Sequence, residues 1–201
     1  MKRHTYKVAA LAASLLVVAN QSNADEAATR MFMDVHQLDS VTAEAVADAH
    51  LKDLAVQDKY GVNFIRYWVD EDNAKVYCLS EAHDAKAVSS AHTEAHGLVP
   101  QNVHEVTAGD EAAARGGSNL YLDVHKVGAG KVTADDVAAA HEKDLVAQEL
   151  NGVNFINYWV DPRSGDIFCL SEAESAEAVL ATHREAHGLI SDEIAQVSQG
   201  E

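Results

Sequence analysis

The sequence predicts an α+β fold made of two tandem βαββαβ domains that pack together as an intramolecular pseudo-dimer. The first observation behind this prediction is an internal duplication, because residues 41–106 align without a gap with residues 132–197 and 35 of the 66 positions are identical. The second is the order of strand and helix patterns, which both copies share. The chain of 201 residues is 47% hydrophobic, which is enough to form the cores of two small domains.

Each domain begins with a strand and a helix. Residues 31–36 alternate apolar and polar side chains, which is typical of a strand with one buried face. Thr42 follows as a helix N-cap, and the helix is expected to run to about Tyr60. Gly61 ends it, because glycine tolerates the left-handed backbone that closes many helices.

Two further strands, a second helix and a last strand complete each domain. Residues 62–69 are rich in β-branched and aromatic side chains, which favours a strand, and a third strand is expected at about 75–81. The second helix is predicted over residues 84–96 and stops at Gly97, and the last strand covers about 99–106. The order β-α-β-β-α-β is the signature of the ferredoxin-like fold.

A four-stranded sheet with both helices on one face leaves its other face bare. A domain of about 75 residues folds alone only marginally, so burial of this face against a second domain stabilises both. The strands expected to supply the interface carry four aromatic side chains: Tyr67, Trp68, Tyr158 and Trp159. We therefore expect the two halves to pair face to face within the chain, and a higher oligomer is compatible with the same pattern.

The two domains are predicted at residues 31–106 and 120–197. Residues 107–119 between them are mostly small and polar and contain glycine, as expected of a linker. Residues 1–24 have the organisation of a signal peptide, with a basic start, an apolar run without charge and small residues at the cleavage point. The run is too short to span a bilayer comfortably, so cleavage before Asp25 is expected rather than an uncleaved anchor. The protein is therefore predicted to be periplasmic or secreted.

The formal charge of the chain is −17, from 15 basic and 32 acidic residues. Such a negative field repels phosphate backbones and anionic lipid surfaces, so nucleic acid and, after signal cleavage, the membrane are excluded as partners. Removal of the signal peptide with its three basic residues lowers the charge to −20. Cations, including divalent metal ions, are the partners that this charge favours.

The eleven histidines are the unusual feature of the composition. Four histidines of the first copy match histidines of the second, in the pairs His36/His125, His50/His141, His92/His183 and His96/His187. His92 and His96 lie four residues apart on a predicted helix, so both imidazoles can reach one divalent ion. Such pairs also occur by chance on ordinary helix faces. Glu94 is wrongly placed for the metalloprotease pattern H-E-x-x-H, which the chain lacks.

The fold is expected to place further ligands beside this histidine pair. The first strand and the second helix run in the same direction, so His36 and His96 lie at the same end of the domain, and Asp34 shares a strand face with His36. His50 lies near the second helix and is either a further ligand or a core histidine. The predicted metal ligands of the two halves are Asp34, His36, His50, His92 and His96, and Asp123, His125, His141, His183 and His187. Nitrogen and carboxylate ligands suit Ni²⁺, Zn²⁺ or Cu²⁺ and do not select among them.

Cys78 and Cys169 occupy equivalent positions on the third strand of each copy. Buried, unreactive thiols are the simplest interpretation of this placement. A disulfide between them is compatible with an exported protein if the two strands meet near the pseudo-twofold axis. Ligation of a soft metal ion is the third alternative.

Five motifs of the first copy carry a resemblance to a known family: MDVH, AHLKDL, GVNFIRYWVD, YCLSEA and HTEAHGL. The second copy repeats them with few changes. The chain resembles the small bacterial nickel-binding proteins with a ferredoxin-like fold, which are single domains that form homodimers. The resemblance covers residues 31–106 and 120–197 and implies binding of nickel or a related metal. The chain departs from the family in its two fused copies, its export signal, and His83 and His104, which have no counterpart in the second copy.

These observations predict an exported protein that binds nickel or another divalent transition metal at two sites, for sequestration or tolerance, rather than an enzyme. The alternative is an enzyme of the dimeric α/β-barrel type, in which Asp34 and His36 form an acid–base pair in a cavity between the two sheets. A third interpretation is a purely structural or interaction module.

Overall fold

The computed structural model describes Met1 and residues 28–201. Residues 2–27 lie outside the described part of the chain. They include the predicted cleavage point and, except for Met1, the whole predicted signal peptide. Two βαββαβ units follow one another along the chain. The first comprises β1 (Arg30–Gln37), α1 (Ala43–Tyr60), β2 (Asn63–Asp70), β3 (Lys75–Ala82), α2 (Ala85–Ala95) and β4 (Asn102–Ala108). The second comprises β5 (Asn119–Lys126), α3 (Ala134–Ala147), β6 (Asn154–Asp161), β7 (Asp166–Ala173), α4 (Ala176–Ala186) and β8 (Glu193–Gly200).

The predicted order of strands and helices is confirmed in both halves. The side chain of Thr42 accepts a hydrogen bond from the backbone N–H of Ala45 and so caps α1, and Gly61 closes this helix with a φ of 62°. The second half differs in detail, because α3 is shorter than α1 and continues as a 3₁₀ turn over Gln148–Asn151.

The eight strands form one closed barrel in the order β1-β3-β2-β8-β5-β7-β6-β4. Each half contributes a four-stranded antiparallel sheet, and the edge strands of the two sheets pair with each other. β2 pairs with β8 over residues 67–69, and β4 pairs with β6 at Thr107 and Ala108. The predicted intramolecular pseudo-dimer is therefore confirmed, and edge pairing closes it into a barrel.

The segment predicted as a linker contributes to this closure. Its first two residues belong to β4. Further along, the backbone N–H of Ala112 donates to the carbonyl of Ile156 at 2.7 Å, and the backbone N–H of Gly116 donates to the carboxylate of Glu172 at 2.8 Å. The segment therefore lies along the second half instead of extending into solvent.

The inside of the barrel holds the main hydrophobic core, which lies between the two halves. Trp68 and Trp159 both belong to this core, and their ring centroids are 5.0 Å apart. Other core side chains are Met33, Tyr77, Leu79, Leu122, Phe168 and Leu170. Tyr67 and Tyr158, which were expected at this interface, lie on the opposite face of their strands, because adjacent residues of a strand point to opposite sides.

The helices cover the outer face of the barrel. In the first half they enclose two smaller clusters, one around Phe32, Phe64 and Val88 and the other around Val46 and Tyr67. Equivalent clusters lie under the helices of the second half. Among the helices of residues 28–201, none has both the length and the apolar character needed to cross a bilayer.

Candidate metal centres

In each half, one strand and two helices bring polar side chains together between the sheet and the helices. Met33 and Val35 of β1 pack in the barrel interior, so the neighbouring Asp34 and His36 point outward, toward α1 and α2. His92 lies on the buried face of α2, directly above them. The alternation of the strand and the amphipathic pattern of the helix thus place three polar groups in one layer.

Asp53, His92 and His96 form the first ligand group of the first half. Asp53 lies on the buried face of α1, and His96 directly follows the last residue of α2. The Oδ1 atom of Asp53 is 2.9 Å from Nδ1 of His92 and 3.2 Å from Nε2 of His96, and these two nitrogens are 3.2 Å apart. Two atoms that bind one ion at about 2.1 Å and at right angles are about 3.0 Å apart, so this spacing suits a single ion.

A second group lies deeper and shares His92 with the first. It contains Asp34, His36, Cys78 and His92, which are all buried, and one ligand atom of each lies within 4.8 Å of the others. The Oδ1 atom of Asp34 is 3.0 Å from Nε2 of His36, and its Oδ2 atom is 3.4 Å from Nε2 of His92. His92 therefore has one nitrogen in each group and lies between two carboxylates.

The second half repeats this arrangement. Asp144 Oδ1 is 3.0 Å from Nδ1 of His183 and 3.1 Å from Nε2 of His187, which reproduces the first group. Asp123 Oδ2 is 3.1 Å from Nε2 of His125 and 3.3 Å from Nε2 of His183, and the deeper group of this half contains Asp123, His125 and Cys169. The geometry is thus a property of the repeated unit.

His92 is positively charged at neutral pH in this arrangement. Burial lowers its pKa, but the hydrogen bonds to Asp34 and Asp53 and the charges of these carboxylates outweigh burial and raise the pKa to about 10. The pKa of Asp34 and of Asp53 is lowered below its usual value. Burial alone would raise it, but the hydrogen bonds to histidine outweigh the effect of burial. His183 has equivalent surroundings, and its pKa is also raised to about 10.

The charge of the cluster fits a divalent cation. Two buried carboxylates and one imidazolium together carry a net charge of −1. If a divalent ion replaces one proton of the imidazolium, the net charge of the cluster becomes zero. Some of these oxygens also lack a partner: among residues 28–201, Oδ1 of Asp34 and both carboxylate oxygens of Asp123 take part in no hydrogen bond of acceptable geometry, although histidine nitrogens lie close. Imidazole nitrogen and carboxylate oxygen are ligands that Ni²⁺, Zn²⁺ and Cu²⁺ accept.

The structure brings most of the predicted ligands together. The groups contain Asp34, His36, His92 and His96 of the first half, and Asp123, His125, His183 and His187 of the second. His50 and His141 belong to none of them and pack instead against Tyr67 and Tyr158, with ring centroids 4.9 and 4.8 Å apart. Burial lowers the pKa of both rings.

Asp53 and Asp144 are candidate ligands that sequence reasoning missed. Each lies three residues after a repeated histidine, in the motifs AHLKDL and AHEKDL, and therefore on the same helix face as that histidine. The one signal in the sequence is that both copies have an acidic residue on this helix face, and by itself it does not identify a metal ligand.

Cys78 and Cys169 are both buried and free, so the disulfide alternative is wrong. They lie on the outer faces of the two sheets, under different pairs of helices, and each belongs to a ligand group of its own half. Burial raises the pKa of each thiol well above its ordinary value. Protonated thiols are poor metal ligands, which favours the interpretation as buried, unreactive cysteines.

The alternative of an acid–base pair between the two sheets is wrong for Asp34 and His36. Both side chains point away from the barrel interior, which Met33, Trp68 and Leu79 fill in the first half. The physical reason is the strict alternation of a strand: closure of the barrel directs Met33 inward and so directs its neighbours to the helices.

Comparison with known proteins assigns the chain to a family. The family described as nickel responsive protein SCO4226-like matches residues 32–106 and 121–197. Among solved structures, SCO4226 from Streptomyces coelicolor A3(2) is 41% identical over an alignment that covers 41% of this chain and 99% of that one, with a TM-score of 0.38. A comparison with curated proteins found no significant match.

Two mutant forms of chlorite dismutase from Candidatus Nitrospira defluvii are also similar to the chain. They align with 85% of it at 8% and 10% identity, over 90% and 91% of their own length, and both have a TM-score of 0.50. At this identity the likeness shows a shared fold and nothing about activity. The segments that match the family, in contrast, coincide with the two βαββαβ units, and each contains one complete histidine and aspartate cluster. The chain belongs to the SCO4226-like family of nickel responsive proteins, as a fusion of two copies of its domain.

Proposed function

We propose that the protein is exported and sequesters nickel, with one ion bound in each half. The observation that carries this proposal is the cluster around His92 and its copy around His183, in which two buried carboxylates face a single imidazolium. Such a cluster favours a divalent cation over a proton. The family supports the choice of nickel among the metals that these ligands suit.

In this proposal Asp53, His92 and His96 hold the ion, because their ligand atoms have the closest mutual spacing in the cluster. Asp34 accepts a hydrogen bond from the far nitrogen of His92, which fixes the orientation of the ring and makes its other nitrogen a better ligand. His36 lies against Asp34, with its Nε2 atom 3.0 Å from Oδ1 of that carboxylate. Asp144, His183 and His187 hold the ion of the second half.

The surroundings of the two clusters support storage of an ion. Each cluster is complete within its own half, and its residues are largely buried. The strongly negative charge of the chain raises the local concentration of cations. Export rests on residues 1–24 alone, whose organisation is that of a cleaved signal peptide.

Calorimetric titration of the exported, demetallated protein with Ni²⁺, Zn²⁺ and Cu²⁺ tests this proposal. We expect two nickel ions per chain and tighter binding of nickel than of zinc. The double variant His92→Ala/His96→Ala should bind one ion, with the affinity of the second half unchanged, because the two sites share no ligand. His83→Ala, which removes an exposed histidine outside the cluster, is the matched control and should bind two ions.

Three results would contradict the proposal. Full binding by the double variant would show that these histidines are not ligands. Loss of both ions by a variant with unchanged circular dichroism would show that the two halves share one site. Weaker binding of nickel than of zinc would remove nickel as the preferred metal.

A further inference from the structure

A cavity opens beside each metal centre, between the first helix of the half and the sheet. Its volume is about 200 Å³ in the first half and about 180 Å³ in the second. One wall of the first cavity consists of the cluster residues His36, Asp53, His92 and His96. The other walls are mainly apolar and include Leu38, Val46, Ala49, Tyr67 and Val76. The candidate metal site therefore faces an apolar space that is large enough for a small organic molecule.

The second half keeps the character of this cavity. Val137, Ala140 and Tyr158 replace Val46, Ala49 and Tyr67 at equivalent positions. One lining position differs in polarity, since Asp136 stands where the first half has Ala45, and the Asp136 carboxylate is held by Thr133 in a capping box. Both halves thus combine a set of metal ligands with an apolar cavity of nearly equal size.

His50 supplies a polar atom to the wall of the first cavity. The residue is 6% exposed, and its Nε2 atom has no hydrogen-bond partner among the residues that the structure describes. Burial lowers the pKa of His50, so its ring is neutral at pH 7. A buried, unpaired imidazole nitrogen is unfavourable, which indicates that a further polar group belongs in this space.

We propose that each cavity takes a small neutral molecule that joins a nitrogen donor to a compact apolar body. The nitrogen completes the coordination of the bound metal, since three protein ligands leave at least one position open on nickel. The apolar body packs against Val46, Ala49 and Tyr67 in the first half. This inference rests on the proposed function, because the donor needs the metal.

The charge of the cluster favours a neutral donor over an anionic one. With a divalent ion in place of the imidazolium proton, the two buried carboxylates are fully balanced. An anionic ligand would add an uncompensated negative charge in a buried site of a chain whose formal charge is already −17. A neutral nitrogen ligand adds none, and its apolar part gains from leaving water.

The test compares imidazole with 4-phenylimidazole, two ligands with the same donor and different apolar bodies. Both are titrated into the nickel-loaded protein by calorimetry, and the visible spectrum of bound nickel reports coordination. We expect 4-phenylimidazole to bind about tenfold or more tightly than imidazole, because its ring fills the apolar cavity. We expect no binding of either ligand to the nickel-free protein.

A variant that fills both cavities provides the structural control. Ala49→Leu/Ala140→Leu should still bind nickel but should lose the preference for 4-phenylimidazole. Ala55→Leu/Val146→Leu, which changes exposed positions of the same two helices, should keep that preference. Circular dichroism verifies folding, and the smaller change Ala49→Val/Ala140→Val replaces the leucine variant if it does not fold.

The results separate this inference from the proposed function. Equal affinity for the two ligands, equal binding without nickel, or an unchanged preference in the filled variant would overturn the cavity proposal while leaving nickel binding intact. Failure of the unaltered protein to bind nickel would overturn the proposed function and this inference with it.

Discussion

A nickel titration repeated from about pH 6 to about pH 9 tests the charge state of the cluster in each half. In the proposed function, nickel binds His92 only after the ring loses the proton that points to Asp53, and the pKa of His92 is raised to about 10. Below that pKa, each unit of pH changes the fraction of neutral ring about tenfold. The apparent affinity for nickel should therefore rise about tenfold per pH unit and still be rising at about pH 9.

A histidine with the ordinary pKa of about 6.5 behaves differently, because its affinity for metal levels off above about pH 7.5. The raised and the ordinary pKa therefore give distinguishable profiles. The number of protons released gives an independent readout. Calorimetry in two buffers of different ionisation enthalpy should show about one proton released per nickel ion at about pH 8.

The variant Asp34→Asn/Asp123→Asn separates the charge effect from loss of a ligand. It leaves the three proposed ligands of each ion in place but removes one of the two carboxylates that raise the pKa of His92 and of His183. Fewer protons should be released at about pH 8, and the affinity should depend less on pH. Asp58→Asn/Glu149→Gln, at exposed equivalent positions, is the matched control and should behave as the unaltered protein. A plateau above about pH 7.5 with no proton release in the unaltered protein would refute the reasoning.

Three other predictions concern stability and processing. Trp68→Ala should destabilise the protein by about 3–5 kcal/mol in urea unfolding, because the indole is fully buried against Trp159, and a change below about 1 kcal/mol would contradict the barrel core. In the metal-free protein, the imidazolium of His92 and of His183 should contribute its full stabilisation below about pH 6.5, and this stabilisation should be lost as the pH rises through about 10. A melting temperature that stays constant up to about pH 11 would count against the raised pKa. The intact mass of the exported protein should correspond to a chain that begins at Asp25, and a mass that includes the first 24 residues would exclude signal cleavage.

The order of elements could be predicted from the sequence because its signals are local. Thr42 and Gly61 mark the ends of a helix by their own backbone preferences, and the alternation of residues 31–36 marks a strand without knowledge of the rest of the chain. The internal duplication repeats each signal in a second copy. The histidine pair His92 and His96 could be identified in the same way, since helix geometry alone places residues four apart on one face.

The remaining features depend on contacts between distant segments. Which face of β2 points into the barrel is decided by how the two sheets close, so Trp68 and Tyr67 were equally good candidates for the interface. Asp53 becomes a ligand candidate only when α1 packs beside α2, which no local pattern specifies. The raised pKa of His92 likewise follows from two carboxylates that lie far from it in sequence.

Each sheet uses its two faces for different purposes, and this division explains what the fusion of two copies achieves in the proposed function. The inner face pairs the halves through Trp68, Trp159 and their neighbours, whereas each metal cluster lies on the outer face under its own helices. A strand that is buried on both sides can serve both purposes because adjacent residues point in opposite directions. No ligand group contains a residue from the other half. Fusion therefore secures the pairing of the two halves without altering the metal site of either. The two ions should therefore bind independently, which suits a protein that stores metal better than one that needs a composite site between its halves.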